Sequence, residues 1–169
     1  MPFIVRWPGR VKPGSISPQL VQQADVMATF ADVLGTKLPE NAGEDSFSLL
    51  PLLDGGDQPV RVHGVNCSAS GVPALRDGPW KLILGPPGRD GGAGANQPIH
   101  LYNLADDLGE TKNLASTMPE KVASMKVQLE KLITDGRSTP GVAQKNDVEV
   151  IRHPSKSAAP PKKKRKATK

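Results

Sequence analysis

The sequence predicts an α+β fold in which a small antiparallel sheet is backed by one amphipathic helix. Two observations favour this class: β-prone runs separated by turn residues occupy the middle of the chain, and a capped helical stripe of apolar residues follows them. The chain has 169 residues, of which 37% are hydrophobic, with 17 Gly and 17 Pro. This length suits one modest domain, but the composition is rich in loops and lean in core residues. We therefore expect something outside the chain to cover part of its apolar surface.

Residues 1–56 have the pattern of the tail end of a larger, layered α/β domain. A β-prone run predicts a strand over residues 3–7, although nothing in this stretch supplies neighbouring strands. Ser17 followed by Pro18 is a favourable helix start and predicts a helix over 18–34. Apolar residues recur along it at helical spacing: Leu20, Val21, Ala24, Met27, Phe30, Ala31 and Leu34. A further apolar run predicts a short helix or turn over 47–53.

Residues 57–154 are expected to form the antiparallel sheet and the helix behind it. Strands are predicted over four runs: residues 60–67, 72–76, 80–84 and 99–104. Asp77-Gly78, between the second and third runs, is a hairpin signal. The stretch 85–98 is rich in Gly and Pro and is expected to be a loop.

The last helix has the clearest sequence signature. Thr117 and Glu120 are spaced as a capping box, and Gly136 is a typical residue just beyond a helix end. The residues between them form one apolar stripe, which indicates the face that packs on the sheet: Val122, Met125, Leu129, Leu132 and Ile133.

The positive charge of the chain is concentrated in a basic tail over residues 155–169. The net charge is +5, but the tail holds seven of the 22 Lys and Arg residues and no acid, so the remaining 154 residues carry a net charge of −2. The tail composition predicts disorder. The run 160–166 resembles a nuclear-import signal and would bind polyanions, but it is equally typical of a solvated basic tail. The charge of the body argues against nucleic acid as the partner.

Few residues point to catalysis or metal binding by themselves. Cys67 is the only cysteine, which excludes an internal disulfide, and we expect it to be a small buried residue at a strand end because no pattern supplies a base to activate it. His63, His100 and His153 are too scattered to indicate a metal site. The acidic pairs Glu44-Asp45 and Asp106-Asp107 are expected to be solvated turn residues. The segment 85–92 is Gly-rich but lacks the Gly-Lys-Ser/Thr of a phosphate-binding loop.

No run approaches the roughly 20 apolar residues of a membrane-spanning helix, and the chain does not begin with the pattern of a signal peptide. We therefore expect no membrane partner, and the cellular location stays undetermined.

Five stretches carry a family resemblance in their order and spacing. They are residues 2–9 (PFIVRWPG), 38–46 (LPENAGEDS), 74–83 (ALRDGPWKLI), 135–141 (DGRSTPG), and 101–104 (LYNL) with Asp106, Gly109-Glu110-Thr111 and Asn113-Leu114. Together they resemble the C-terminal part of the sulfatases, specifically the arylsulfatase A-like branch. The likeness spans about residues 2–150.

This resemblance implies an alkaline-phosphatase-like fold whose C-terminal part is a small antiparallel sheet with a helix beside it. It also implies a formylglycine nucleophile, matured from the Cys or Ser of a C/S-x-P-x-R motif, and a calcium ion held by Asp and Asn side chains. This sequence has no such motif, and Cys67 lacks its Pro and Arg. We therefore assign no catalytic residue and no metal ligand to the chain, and we expect it to be inactive alone.

The resemblance singles out His63 as a candidate substrate-binding residue. Related members carry a His-His-x-Ser stretch before the hairpin, and Val62-His63-Gly64-Val65 keeps its first histidine. Gly64 leaves room beside the ring. The alternative is a packed strand histidine with a structural role.

Two functions are open at this point. The chain is either the C-terminal portion of a sulfatase, forming one wall of the substrate pocket, or a non-enzymatic small domain whose basic tail binds nucleic acid or another polyanion. The first implies a sulfated small molecule or sulfated carbohydrate as substrate, with a missing N-terminal catalytic portion as partner. Family members are often exported, and whether this chain is itself an enzyme stays open.

Overall fold

The computed structural model describes residues 3–69, 71–85 and 99–152. Most of the Gly- and Pro-rich stretch predicted as a loop, and the basic tail, lie outside the described residues.

The described chain forms an α+β structure with one four-stranded antiparallel sheet, which confirms the predicted fold class. Its elements in chain order are α1 (Asp25–Val33), α2 (Leu50–Leu53), β1 (His63–Cys67), β2 (Pro73–Asp77), β3 (Trp80–Ile83), β4 (His100–Asn103) and α3 (Pro119–Asp135). The strands lie in sequence order, β1-β2-β3-β4, and each pair is antiparallel. No helix in the described ranges is long and apolar enough to cross a membrane.

The hairpin predicted at Asp77-Gly78 joins β2 to β3. Asp77 pairs with Trp80 across the turn, and Gly78 has a φ of 52°, a backbone conformation that glycine adopts more readily than other residues.

The core lies between one face of the sheet and α3. Leu75, Leu82 and Leu101 come from three neighbouring strands, and each is fully buried. They pack against Met125 and Leu129 of α3, which belong to the predicted apolar stripe. Helix α3 therefore packs on the sheet through the apolar stripe that the sequence indicated.

The start of α3 differs from the capping-box prediction. The N-cap residue is Met118, with no side-chain cap, and the Thr117 hydroxyl donates to the Leu114 carbonyl 3.1 Å away. The end is as predicted, because Gly136 adopts a left-handed conformation with a φ of 61°.

Two predictions for the N-terminal segment are wrong. Residues 3–7 do not form a strand, consistent with the lack of a neighbouring strand in the described chain. The helix predicted over 18–34 begins only at Asp25. The residues before it run beside β1, where the Gln22 side-chain amide donates to the Val65 carbonyl at 3.0 Å. The Asp25 carboxylate accepts the Gln22 backbone N–H at 2.7 Å, so this contact closes the turn that leads into α1.

A buried ion pair joins α1 to the residues that precede β1. Arg61 Nη2 lies 3.2 Å from Asp25 Oδ1, and neither side chain is exposed. Arg61 also donates to the Asp45 carbonyl at 2.7 Å and to the Gln22 side chain, and its guanidinium lies over the Phe47 ring. This one cation thus holds three separate segments together.

The DGRSTPG stretch is hydrogen-bonded to the loop that precedes α2. The backbone N–H groups of Ser138 and Thr139 donate to the Glu44 carbonyl at 3.1 and 3.0 Å. The Arg137 guanidinium lies 3.2 Å from the Glu40 carboxylate and also donates to the carbonyls of its own turn. Two stretches of the family resemblance therefore meet in space, and here their role is structural.

Candidate functional site

His63 lies at the start of β1, on the sheet face that α3 covers. Its Nδ1 is 3.2 Å from Oδ1 of Asp77, the residue directly opposite on β2. The side-chain amide of Gln128, on α3, contacts both ring nitrogens and lies 2.9 Å from Nδ1. The His63 side chain keeps 25% of its surface exposed. Three elements therefore orient an imidazole that solvent still reaches.

Asp77 is the centre of this polar cluster. Its second carboxylate oxygen lies 3.3 Å from the Lys121 ammonium, which itself stands over the Trp80 ring at 5.6 Å from the centroid. When the Asp77 carboxylate accepts a hydrogen bond from Nδ1 of His63, Nε2 is the ring nitrogen that remains for another partner. We define the His63 cluster as His63, Asp77, Lys121 and Gln128.

His63 also lines a cavity of about 300 Å³. One wall is apolar and includes Val65, Leu129 and Ile133, while Gln22 and Arg137 add polar groups. Apolar and polar side chains therefore share the lining of this cavity.

Cys67 is exposed at the end of β1, which corrects the expectation of a buried strand-end cysteine. The outward position follows from its place on an edge strand, where the residues at the far end of β1 are open to solvent. The described part of the chain contains no group of three or more His, Cys, Asp or Glu residues that could hold a metal ion. The described residues therefore do not fit the calcium site that the resemblance implies, and the sequence lacks the C/S-x-P-x-R motif.

His100 is not a member of the His63 cluster. His100 Nδ1 is 2.9 Å from the Tyr102 hydroxyl, on β4. His153 lies outside the described residues.

The turn after β4 has a structural role. Asp107 accepts the backbone N–H groups of Thr111 and Lys112, both at 2.8 Å, and the Thr111 hydroxyl at 3.0 Å. These hydrogen bonds, led by that of Lys112, hold the pKa of Asp107 below its ordinary value. The sequence predicts a pair of solvated turn residues at Asp106-Asp107, and they do lie at this turn, which the Asp107 carboxylate also organises.

Asn113 attaches the same turn to the sheet. Its side-chain oxygen accepts the Leu101 N–H at 3.0 Å, and its amide donates to the Ile99 carbonyl at 3.1 Å. Glu44-Asp45, the other acidic pair, contributes backbone carbonyls to Thr139 and Arg61. Among the described residues, the hydrogen bonds of this pair therefore use its backbone and not its carboxylates.

Comparison with known proteins identifies the family to which this chain belongs. A family model described as N-sulphoglucosamine sulphohydrolase, C-terminal, matches residues 1–62. The ulvan-active sulfatase of Formosa agariphila is 36% identical, over 80% of this chain and 32% of its own length. The N-acetylgalactosamine-6-O-sulfatase of Bacteroides thetaiotaomicron is 34% identical, over 79% of this chain and 27% of its own length.

A solved sulfatase structure from the glycosaminoglycan metabolism of Bacteroides thetaiotaomicron shares the fold, with a TM-score of 0.68 and 34% identity. The match covers 78% of this chain and 28% of that structure. The chain belongs to the sulfatase family and corresponds to its C-terminal portion. It spans about a third of the length of the curated relatives that it matches.

Sequence reasoning found one member of the His63 cluster and missed the other three. The hairpin signal places Asp77 only in a turn, and no sequence pattern singles out Lys121 or Gln128. The missing signal was the strand register, because His63 meets Asp77 only when β1 and β2 pair as they do.

Proposed function

We propose that this chain serves as the C-terminal portion of a sulfatase that hydrolyses sulfate esters of a carbohydrate. The likeness to two sulfatases over about four fifths of the chain carries this proposal. Their names refer to ulvan and to the 6-O-sulfate of N-acetylgalactosamine, and both substrates are sulfated sugars. The nucleophile and the metal ligands come from elsewhere in such an enzyme, so the isolated chain is inactive.

The role of the chain in that enzyme is to form one wall of the substrate pocket. His63 is the residue that we assign to substrate binding. The ring is partly exposed, lines a cavity and is held in one orientation by Asp77 and Gln128. Because Asp77 accepts the hydrogen bond of Nδ1, the ring donates to a sulfate or sugar oxygen from the Nε2–H that it carries when protonated, and that hydrogen bond is charge-assisted.

The alternative of a polyanion-binding domain depends only on residues 155–169, which lie outside the described chain. The sulfatase likeness extends over about four fifths of the chain, so we favour the enzyme portion. We further propose that residues 1–56 belong with the catalytic domain and that residues 57–154 form the C-terminal subdomain.

A chimera gives the proposal an assay. In it, this chain replaces the matching C-terminal part of the Bacteroides thetaiotaomicron N-acetylgalactosamine-6-O-sulfatase, and sulfate release from N-acetylgalactosamine 6-sulfate is followed. We expect His63→Ala in this chimera to lower kcat/KM roughly 10-fold or more, the effect of one lost charge-assisted hydrogen bond.

Gln128→Ala is the matched control, because it removes a partner of the ring and leaves the imidazole in place. Its kcat/KM should fall less than that of His63→Ala. The thermal midpoint of each variant is measured alongside, because His63 also has structural partners. Loss of stability with unchanged kcat/KM per folded molecule would show that His63 is a packed strand residue only.

A further inference from the structure

Helix α1 presents apolar side chains to solvent and polar side chains to the rest of the protein. Met27, Phe30 and Leu34 are 49%, 63% and 77% exposed. Their spacing of three and four residues places them on one side of the helix and its C-cap. Asp25 and Thr29, on the opposite side, are buried. We call Met27, Phe30 and Leu34 the α1 outer face.

Polar contacts fix this orientation of the helix. The Thr29 hydroxyl donates to the Asp25 carbonyl at 2.6 Å and accepts the Leu49 N–H at 2.9 Å. The Ser46 hydroxyl accepts the Ala28 N–H at 2.8 Å and donates to the Ala24 carbonyl at 2.7 Å. Turning α1 to bury its apolar side would break these bonds and would expose the carboxylate that pairs with Arg61. The apolar side therefore stays outward.

An apolar face held outward by buried polar contacts is typical of an interaction surface. The relatives indicate its partner. Residues 1–62, which contain all of α1, match a family model described as C-terminal, and the chain spans only about a third of its relatives. The matched segment is 32% and 27% of the length of those relatives, so most of each enzyme lies outside it.

We propose that the α1 outer face packs against the N-terminal portion of a sulfatase. This inference rests on the proposed function, and it adds the surface through which the two portions meet. The partner surface must be apolar and concave enough to receive Phe30 and Leu34, because these two side chains project furthest into solvent.

Cysteine labelling tests the surface without reference to activity. Leu34→Cys is introduced in a Cys67→Ser background, since Cys67 is exposed and would otherwise react. Maleimide labelling rates are compared between the isolated chain and the chimera defined above. We expect the cysteine introduced at position 34 to react at least 10-fold more slowly in the chimera.

Val127→Cys is the matched control, because Val127 is an exposed apolar residue on α3, 71% accessible. Its rate should be the same in both proteins. Equal rates at position 34 in chain and chimera would overturn the proposal. So would protection in the isolated chain that grows with concentration, because a second copy would then cover the face. Protection of the Leu34→Cys thiol in a chimera that releases no sulfate would leave the docking surface standing and count against the proposed function alone.

Discussion

Replacing Arg61 by leucine should lower the free energy of unfolding by about 3–5 kcal/mol. The reason is the Asp25 carboxylate, which would stay buried after its only ion-pair partner in the described chain is removed. Burial lowers the pKa of the Arg61 guanidinium from its ordinary value, while the nearby Asp25 and Asp45 carboxylates act in the opposite direction. Each charge of the pair thus offsets the cost of burying the other. Removing one member leaves the other charge buried without this compensation.

Urea denaturation followed by circular dichroism measures this loss. Arg10→Leu is the control, because Arg10 pairs with Asp54 at 2.6 Å in a site where both side chains are well exposed. Exposed pairs contribute about 0–1 kcal/mol, so this variant should unfold almost like the wild type. Replacing Asp25 and Arg61 together by leucine should restore part of the loss. An Arg61→Leu protein that unfolds at the same urea concentration as the wild type would contradict the assignment of this pair as the link between the segments.

Gly136→Ala should destabilise the protein by about 3 kcal/mol, since it adds backbone strain to a steric overlap. Gly136 has a φ of 61°, which L-residues adopt at a cost. A methyl group there would also overlap the Gln144 carbonyl. The segment after α3 folds back at this point, with the Gln144 N–H donating to the Asp135 carbonyl at 2.8 Å. The added methyl group should force this segment away from the helix.

The Gly78→Ala variant separates the effect of backbone strain from the effect of steric overlap. Gly78 has a φ of 52°, but a methyl group there meets nothing within 4 Å. It should therefore show the backbone strain alone, about 1 kcal/mol. Hydrogen exchange at the Gln144 amide should accelerate in Gly136→Ala and stay unchanged in Gly78→Ala. Equal losses of stability in the two variants would show that the contact with Gln144 is unimportant.

The sheet and α3 could be predicted from sequence because their signals are local. The alternation of apolar residues along the strands, the Asp77-Gly78 turn and the stop at Gly136 act within a few residues of one another. The structure differs from those predictions by only a few residues at the strand ends and at the cap of α3.

The N-terminal segment could not be predicted in the same way because its neighbours decide its structure. The periodicity from Leu20 to Leu34 is helical, but Gln22 bonds to β1, and the helix begins three residues later. The sequence predicts that part of the chain's apolar surface lies uncovered, and the exposed side of α1 agrees with this. It does not predict that Asp25 and Thr29 face the rest of the chain, because Arg61 and Leu49 provide partners that no local pattern reveals.

The candidate site, too, could be predicted from sequence only in part. His63 was found from a family resemblance, whereas Asp77, Lys121 and Gln128 reach it only through strand register and helix packing. The carboxylate at position 77 could be assigned to a turn from sequence, but its position between the His63 ring and the Lys121 ammonium depends on the folded structure.

The most direct test of the central claim is the initial rate of sulfate release by the chimera. The two controls are the same relative truncated before its matched C-terminal part, and this chain by itself. If the chain is the C-terminal portion of a carbohydrate sulfatase, the chimera should release sulfate from N-acetylgalactosamine 6-sulfate or from ulvan at a rate well above both controls. A folded chimera no faster than the truncated relative on either substrate would contradict the claim.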